Sequence, residues 1–395
     1  CDVIRYWVSE LDVDGIRLDA ADVLDFDFMR ALRHTAEEVK PDFWLMGEVI
    51  HGDYSRWVNG ETLHSVTNYA LHKALYSGHN DHNYFEIAHT VKYLQNMGNL
   101  DLYNFVDNHD VERIYTKLSN KAHFTPVHIL LYTLPGIPSI YYGSEFGIEG
   151  RKERSSDDSL RPALNITDYK DAVTSNPCTA LITALGKIRQ HTPALSYGSY
   201  TELQLTNRQY AFARDLDNMR VIITVNNDDN DAWMNLPAGN AAEYVGTLTG
   251  QKVAVEGGCI NVCVGANSGE IWVPTEDTSV PETFSENKDS IVEETPVTQE
   301  EVKNEGSAET KTAPASSIPE AASTKEDTDR TPASAEKEPV NFDSNKAPED
   351  MSIEELQAGI LAKMATNGSV TDQMKKTVYD NIWHDSLVNW IKSFR

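Results

Sequence analysis

Two different periods of apolar positions divide the chain. From residue 2 to residue 194, short apolar runs alternate with longer stretches in which apolar residues recur every three or four positions. The short runs predict strands, and the longer stretches predict amphipathic helices. The predicted strands are residues 15–18, 43–47, 65–68, 102–107 and 139–142, and the clearest helices are residues 28–39, 84–96 and 124–132. This alternation is typical of parallel strands joined by right-handed crossovers.

Beyond residue 195 the period of the apolar positions changes to two, which is the pattern of half-buried strands. Turn residues at 226–231 and 257–258 separate the short runs. The segment therefore predicts a small antiparallel β domain. Its predicted strands are residues 200–205, 209–214, 220–225, 244–248, 259–264 and 270–273.

The C-terminal third has two further parts. Residues 276–350 are rich in Glu, Thr, Ser, Ala and Pro and predict a disordered acidic linker. Residues 351–395 regain a helical period, with Ser352 and Glu355 forming a capping box and Gly368 ending the first of two helices. We interpret them as a two-helix module that packs on the enzyme, with docking on a protein partner as the alternative. The predicted domains are residues 1–194, 195–275, 276–350 and 351–395.

Composition and charge exclude several classes of protein. The chain has 395 residues, 40% of them hydrophobic, enough for two or three domains with real cores. A net charge of −27 excludes a general nucleic-acid binder. No apolar run approaches the ~20 residues that span a bilayer. The cysteines have neither metal-type spacing nor a disulfide framework, and their low number favours a cytoplasmic protein.

Three acidic residues directly follow predicted strands. Asp19 lies two residues after Arg17 on the same face of a strand, and an adjacent guanidinium keeps a carboxylate ionised, as a nucleophile requires. Glu48 ends an apolar run, where partial desolvation would favour the protonated form that a general acid needs. Asp110 belongs to the polar run VDNHDVER after another strand. Taken singly, Asp19 is usually explained by a surface ion pair and Glu48 by a strand end. A helix cap or turn is a strained explanation for so dense a polar run around Asp110.

Together the three acids are more specific. The carboxyl ends of parallel strands meet at one rim, where barrel enzymes build their active sites. Asp19 and Glu48 follow consecutive strands, which lie about 4.8 Å apart. Retaining glycosidases hold their two carboxylates roughly 5–5.5 Å apart. The pattern therefore predicts a retaining glycosidase, with Asp110 as a third carboxylate across the same rim.

Several motifs resemble those of the α-amylase superfamily, glycoside hydrolase family 13. Residues 15–19 (GIRLD), 47–49 (GEV) and 106–110 (VDNHD) resemble its nucleophile, acid/base and transition-state motifs. Residues 136–145 resemble its last barrel strand, and residues 160–162 (LRP) the loop that follows. The resemblance implies an α/β chain with about the last five strands of a (β/α)8 TIM barrel, followed by the β domain. The first three strands are then expected to lie upstream of Cys1.

The resemblance also implies roles for individual residues. Asp19 would be the nucleophile, oriented by Arg17, and Glu48 the acid/base. Asp110 and His109 would bind hydroxyls of the reacting sugar. Further substrate contacts, with a structural role as the alternative, are assigned to two residues: His51 and Arg113. No cofactor and no metal ligand are expected in this chain, and any calcium site would belong to the part upstream.

The substrate is predicted from departures within these motifs. Asp22 and Val23 stand where many α-amylases have Lys and His, and Ile50 stands where neopullulanase-like members have Trp. The chain is therefore expected to act on maltodextrins and related α-glucans, as maltogenic amylases, cyclomaltodextrinases or α-glucosidases do. One alternative is an α-glucanotransferase, which uses the same carboxylates. The other is a non-catalytic glucan-binding or scaffold subunit.

Overall fold

A computed structural model of the chain describes residues 1–275, 347, 351–366 and 391. The chain divides into two compact units, Cys1–Pro296 and Val297–Arg395. In the described residues, none of the helices combines the length and apolar character that crossing a bilayer requires.

Strands and helices alternate through the first part of the chain. In order these elements are α1 (Asp2–Leu11), β1 (Gly15–Leu18), α2 (Phe26–Val39), β2 (Trp44–Gly47), β3 (Ser65–Val66), α3 (Tyr69–Asn80), α4 (Tyr84–Asn96), β4 (Tyr103–Phe105), α5 (Ile114–Lys117), α6 (Phe124–Thr133), β5 (Ile137–Ser139), α7 (Ala172–Ser175), α8 (Pro177–His191) and α9 (Pro193–Tyr197).

The five strands β1 to β5 are parallel and lie in chain order. β1 pairs with β2, β2 with β3, and β4 with β5. A parallel bridge between Thr67 and Tyr103 connects β3 to β4. All five carboxyl ends therefore point to the same side, which is the side that the sequence predicted for the acidic residues.

The helices form where local sequence supplies a cap and an apolar face. In α2, the Asp25 side chain accepts a hydrogen bond from the Phe28 N–H at 3.0 Å, which satisfies a free backbone donor. One face of α2 buries Met29, Leu32 and Ala36, spaced at three and four residues. This spacing is the one from which the helix was predicted.

One predicted strand is misplaced. The fifth strand was expected at residues 139–142, but it is β5, Ile137–Ser139, because Ile137 pairs with Tyr103. Gly136, with a φ of 112°, brings the chain close to β4 before the strand begins. A Cβ at this glycine would lie 2.7 Å from the Leu102 carbonyl oxygen, so the sharp approach requires glycine.

The antiparallel β domain follows α9. Its strands are β6 (Ser199–Leu205), β7 (Gln209–Leu216), β8 (Met219–Asn226), β9 (Ala232–Pro237), β10 (Glu243–Gly246), β11 (Lys252–Ala254), β12 (Cys259–Val264) and β13 (Ser268–Pro274). Six of them form a sheet in the order β11-β10-β13-β8-β7-β6, and β12 pairs with β9. Strands β9 and β11 were not predicted, although β9 alternates buried Met234 and Leu236 with exposed neighbours.

The β domain packs on helices of the first part of the chain, including α6, through one buried hydrophobic cluster. Ile129 and Leu130 of α6 belong to the same buried cluster as Phe212, Ile223 and Ile271 of the sheet. The buried Arg214 of β7 reinforces the contact, because its guanidinium donates to the Thr133 carbonyl oxygen of α6 at 2.6 Å. The boundary predicted between residues 194 and 195 thus separates two sequence patterns that share this buried cluster, although each part also has a cluster of its own. The predicted domain limits stay predictions.

In the second unit, α10 (Ile353–Thr366) begins with the predicted capping box. The Glu355 N–H donates to Ser352 Oγ at 3.2 Å, and the Ser352 N–H donates to Glu355 Oε2 at 2.6 Å. The linker predicted at residues 276–350 lies outside the described residues, apart from residue 347. The predicted stop at Gly368 and nearly all of the predicted second helix also lie outside them.

Candidate active site

The three predicted acids lie at the carboxyl ends of parallel strands. Asp19 directly follows β1 and Glu48 directly follows β2. The strand register places Leu18 beside Gly47, so the two acids come next on adjacent strand ends. Asp110 lies five residues after the end of β4, in a loop on the same side.

Arg17 joins the first two acids. One guanidinium nitrogen of Arg17 bonds Asp19 Oδ1, and the other lies 3.1 Å from Glu48 Oε2. The two carboxylates are therefore no farther apart than one guanidinium and two hydrogen bonds. This arrangement satisfies the requirement that both acids face the same small volume above the strands.

The backbone holds Glu48 more firmly than Asp19. Glu48 Oε2 accepts a hydrogen bond from the Ala20 N–H at 3.0 Å, and the main chains of the two strand ends continue to pair beyond the strands. The Glu48 side chain is 14% exposed, whereas the Asp19 side chain is 83% exposed. Glu48 is thus partly desolvated and fixed, and Asp19 is accessible from solvent.

Asp110 is held by two cationic or polar neighbours. Its Oδ1 lies 2.9 Å from Arg161 Nη2, and its Oδ2 lies 3.0 Å from His109 Nε2. Its backbone N–H donates to Asn108 Oδ1 at 2.8 Å. Arg161 also donates from Nε to the His109 carbonyl oxygen at 3.0 Å, so it closes this side of the site. Arg161 stands in the LRP run quoted above, but sequence reasoning gave it no place in the site.

A second residue that sequence reasoning missed is Tyr69, the first residue of α3. Asn108 Nδ2 donates to the Tyr69 hydroxyl oxygen at 3.1 Å. Burial raises the pKa of Tyr69, the bond from Asn108 lowers it, and the nearby carboxylates of Glu48 and Asp110 raise it. Tyr69 therefore lies within electrostatic reach of both acids. The available signal was its position just beyond the strand predicted at residues 65–68, at the same strand end as the three acids.

The structure corrects the substrate contact expected of Arg113. Its side chain has no exposed surface, and its guanidinium donates to the Tyr142 carbonyl oxygen at 2.5 Å and to the Leu160 carbonyl oxygen at 2.8 Å. The guanidinium also stacks 4.2 Å from the centre of the Tyr141 ring. Arg113 thus ties together the loops around the site, which is the structural alternative stated above.

A buried acid, Asp107, lies beneath the Asp110 loop. Its carboxylate accepts from the Ile114 N–H at 2.7 Å and from Ser144 Oγ at 2.8 Å. Burial raises the pKa of Asp107 from its usual 3.8 to about 6, although these hydrogen bonds oppose the shift. The residue is buried, so it supports the loop and does not face a substrate.

The remaining predicted substrate contact, His51, lies on an exposed bend three residues after Glu48. Its role stays a prediction. Among the residues that the structure describes, no group of three or more His, Cys, Asp or Glu side chains is arranged to hold a metal ion.

Residues 1–195 match the family model described as alpha amylase, catalytic domain, and this part of the chain belongs to that family. Among relatives, a cyclomaltodextrinase of Thermoanaerobacter pseudethanolicus is 30% identical over 233 residues, which are 57% of this chain and 39% of that protein. A cyclomaltodextrin glucanotransferase of Bacillus sp. (strain 38-2) is 26% identical over 300 residues, or 71% of this chain and 40% of that protein. The chain thus spans about two fifths of the length of these two relatives.

A solved structure with the same fold is an Anoxybacillus alpha-amylase, with a TM-score of 0.61 and 24% identity over 69% of this chain and 61% of that one. This similarity concerns the fold alone. It agrees with the architecture described above, in which parallel strands and helices precede an antiparallel β domain.

Proposed function

We propose that the protein hydrolyses α-glucosidic bonds in maltodextrins with retention of configuration. The observation that carries the proposal is the Arg17 guanidinium, which contacts both Asp19 and Glu48 at the ends of adjacent parallel strands. Two carboxylates that share one guanidinium lie close enough to act on the same sugar carbon, as double displacement requires. Membership of residues 1–195 in the α-amylase family supports the same reaction.

In the proposed reaction, a carboxylate oxygen of Asp19 attacks the anomeric carbon while Glu48 gives its proton to the departing glycosidic oxygen. The bond from the anomeric carbon to that oxygen breaks, and a glycosyl ester with Asp19 forms. Glu48 then takes a proton from water, whose oxygen attacks the same carbon and releases Asp19. The exposure of Asp19 leaves the nucleophile open to a sugar, and the low exposure of Glu48 and its bond from the Ala20 N–H hold the acid/base in place.

Asp110 and His109 are assigned to the sugar. Asp110 would accept hydrogen bonds from sugar hydroxyls and help to distort the ring toward the oxocarbenium-like state, and His109 would donate to the same sugar. Their contact with each other at 3.0 Å supports a shared ligand. Arg161, which bonds Asp110 in this structure, would then be displaced or shared when a sugar binds.

We further propose that the five parallel strands are the last five of a (β/α)8 barrel. The support is their parallel order and the position of β1 and β5, which each pair on one side only among the described residues.

The test is turnover of maltotriose by the complete protein, including the proposed upstream barrel strands, and it compares Arg17→Met with Lys40→Met. Lys40 is the matched control, because it bridges two carboxylates, Asp12 and Asp14, at the other end of β1. We expect glucose and maltose from the wild type, a loss of at least about 100-fold in Arg17→Met, and near-normal turnover in Lys40→Met. An intact trisaccharide with the wild type, or equal losses in the two variants, would refute the proposal.

A second candidate is transfer of the glycosyl group to another sugar in place of water. The similarity to a cyclomaltodextrin glucanotransferase favours it, because transfer uses the same acid pair. The same maltotriose experiment separates the two: oligosaccharides longer than the substrate indicate transfer, whereas glucose and maltose alone indicate hydrolysis.

We propose a docking role for the C-terminal helices, either on the enzyme or on a protein partner. The capping box and the buried Leu356 and Ile360 support a folded helix α10 in this module. Deleting residues 276–395 should leave maltotriose turnover unchanged while abolishing capture of a partner. Lost turnover would place the helices on the catalytic part, and a scaffold function without catalysis would be indicated by partner capture with no turnover in any form.

We make two further proposals, one about cofactors and one about location. The acid chemistry is proposed to need no cofactor in this chain, with any calcium held by the part upstream, and turnover that persists after EDTA treatment would support it. A cytoplasmic location is proposed because Cys1, Cys178, Cys259 and Cys263 are all free thiols. Cell fractionation with antibody against the chain would check it, and recovery from the medium would refute it.

A further inference from the structure

Tyr69 occupies a fixed position at the rim of the site. It is the first residue of α3, whose N-cap Asn68 accepts from the Leu71 N–H at 3.1 Å. Asn68 is itself buried and donates to Asn104 Oδ1 of β4 at 2.8 Å. The start of α3 is thereby attached to the neighbouring strand, so the backbone of Tyr69 has little freedom to move.

The Tyr69 ring is held as firmly as its backbone. It packs edge-on against Phe105 of β4, with ring centres 4.9 Å apart and planes at 79°. His72, one turn later on α3, stacks on the other side of the contact, 4.9 Å from the centre of Phe105. Aromatic contacts of this geometry restrict the ring to one orientation, and this orientation directs the hydroxyl toward the loop that carries Asp110.

The hydroxyl of Tyr69 is the last link of a short chain of hydrogen bonds. Asn108 donates from Nδ2 to Tyr69 and accepts at Oδ1 from two backbone N–H groups, those of Asp110 at 2.8 Å and Val111 at 3.1 Å. A side-chain amide can satisfy both roles only in one orientation. The two backbone N–H groups fix which end of the Asn108 amide faces the Asp110 main chain, and the Tyr69 hydroxyl holds the other end in place.

We propose that Tyr69 is a positioning residue that acts through Asn108 to set the place of Asp110 at the reacting sugar. The inference rests on the proposed function. Without the hydroxyl, the Asn108 amide loses its hydrogen bond to Tyr69, and the backbone of the Asp110 loop becomes more mobile. Because Asp110 is assigned to interactions that strengthen in the transition state, the loss should appear in kcat more than in KM.

The first test is kinetic and uses Tyr69→Phe, which removes one oxygen and keeps the ring. We expect kcat on maltotriose to fall about tenfold with KM changed less than about twofold. In an Asn108→Ala background the same substitution should have no further effect on kcat, because the link is already absent. Unchanged kcat in Tyr69→Phe, or full additivity with Asn108→Ala, would overturn the inference.

The matched control is Tyr76→Phe. Tyr76 lies on the same helix and is also partly buried, but its ring contacts Lys117 at 4.0 Å and not the acids. Both Phe variants should retain the wild-type melting temperature. Equal kinetic losses in Tyr69→Phe and Tyr76→Phe, or a fall in stability that accounts for the loss, would indicate a merely structural role.

A second test does not depend on turnover. Backbone hydrogen exchange should become faster at Asp110 and Val111 in Tyr69→Phe and stay unchanged in Tyr76→Phe. A wild type that leaves maltotriose intact would refute the proposed function, while faster exchange would still support the link through Asn108. Unchanged exchange at both amides would overturn the link even in an active enzyme.

Discussion

The two ends of β1 carry similar charges and differ in everything that surrounds them. At the carboxyl end, Arg17 bridges Asp19 and Glu48. At the amino end, Lys40 bridges Asp12 and Asp14, with Nζ to carboxylate distances of 2.7 and 2.6 Å. One cation between two acids is therefore present at each end of a single strand.

The difference lies in burial and anchoring. The side chains of Asp12 and Asp14 are 92% and 89% exposed, so water and salt weaken their attraction to Lys40. Glu48 is only 14% exposed, and the Ala20 N–H bonds its carboxylate. Charge pattern alone thus does not define a site. The site is the end where the backbone fixes one acid and leaves the other open to a ligand.

The largest expected effect separates the two ends by activity. Asp19→Asn should lower maltotriose turnover by at least about 1,000-fold, because an amide cannot form the glycosyl ester. Asp14→Asn, the matched change at the amino end, should leave turnover within about twofold of the wild type. Initial rates measured on samples with equal melting temperatures decide the outcome. Substantial activity in Asp19→Asn would remove the assigned nucleophile.

An intermediate effect concerns pH. Burial raises the pKa of Asp107 to about 6, so the native protein keeps this proton up to a higher pH than the unfolded chain does. The contribution of Asp107 to the free energy of unfolding should therefore fall as pH rises from about 4 to about 6. Relative to the wild type, Asp107→Asn should gain about 3 kcal/mol across that window, measured by urea unfolding at each pH.

Asp12→Asn is the control for that measurement, and its sign is opposite. The hydrogen bond from Lys40 lowers the pKa of Asp12, so the ionised acid stabilises the fold above about pH 4 and loses this effect as pH falls. Relative to the wild type, Asp12→Asn should therefore lose a small amount of stability as pH rises. Parallel curves for both variants would contradict the assignment of Asp107 as a buried acid.

The smallest expected effect compares two residues with left-handed backbone. Ala20, beside Asp19, has a φ of 42°, and Asp12 has a φ of 50°. Alanine tolerates this region less well than aspartate, so Ala20→Gly relieves more strain than Asp12→Gly. Because glycine also loosens the unfolded chain, both changes in unfolding free energy should stay below about 1 kcal/mol. Urea unfolding should rank Ala20→Gly as the more stable variant, and the reverse order would argue against strain beside the nucleophile.

The part of the site that was predicted from sequence follows from the order of the strands. Asp19, Glu48 and Asp110 each follow a parallel strand, and Arg17 lies on the same strand face as Asp19. The carboxyl ends of parallel strands then bring these residues to one side of the sheet. Tyr69 and Arg161 were missed because their partners are 39 and 51 residues away. No short-range pattern reports which of two distant loops will meet.

Arg113 shows the opposite error, because it was predicted as a substrate contact and is buried in the structure. Its nearness to Asp110 in sequence suggested a place in the site, but three residues further along the loop the chain has turned inward and the side chain is buried. In the fold, helix α4 was predicted with its observed bounds, since its apolar period is regular. The short strand β11 was missed, because three residues carry too little alternation to be distinguished from a loop.

The core shared by α6 and the β domain has a consequence for how the protein unfolds. Where β13 passes α6, a Cβ at Gly269 would lie 2.9 Å from Ile129 Cδ1, so strand and helix are in close contact. The β domain and the helices of this shared cluster should therefore melt in a single cooperative transition. Heat that loosens the sheet would then also loosen α3, the helix that begins with Tyr69.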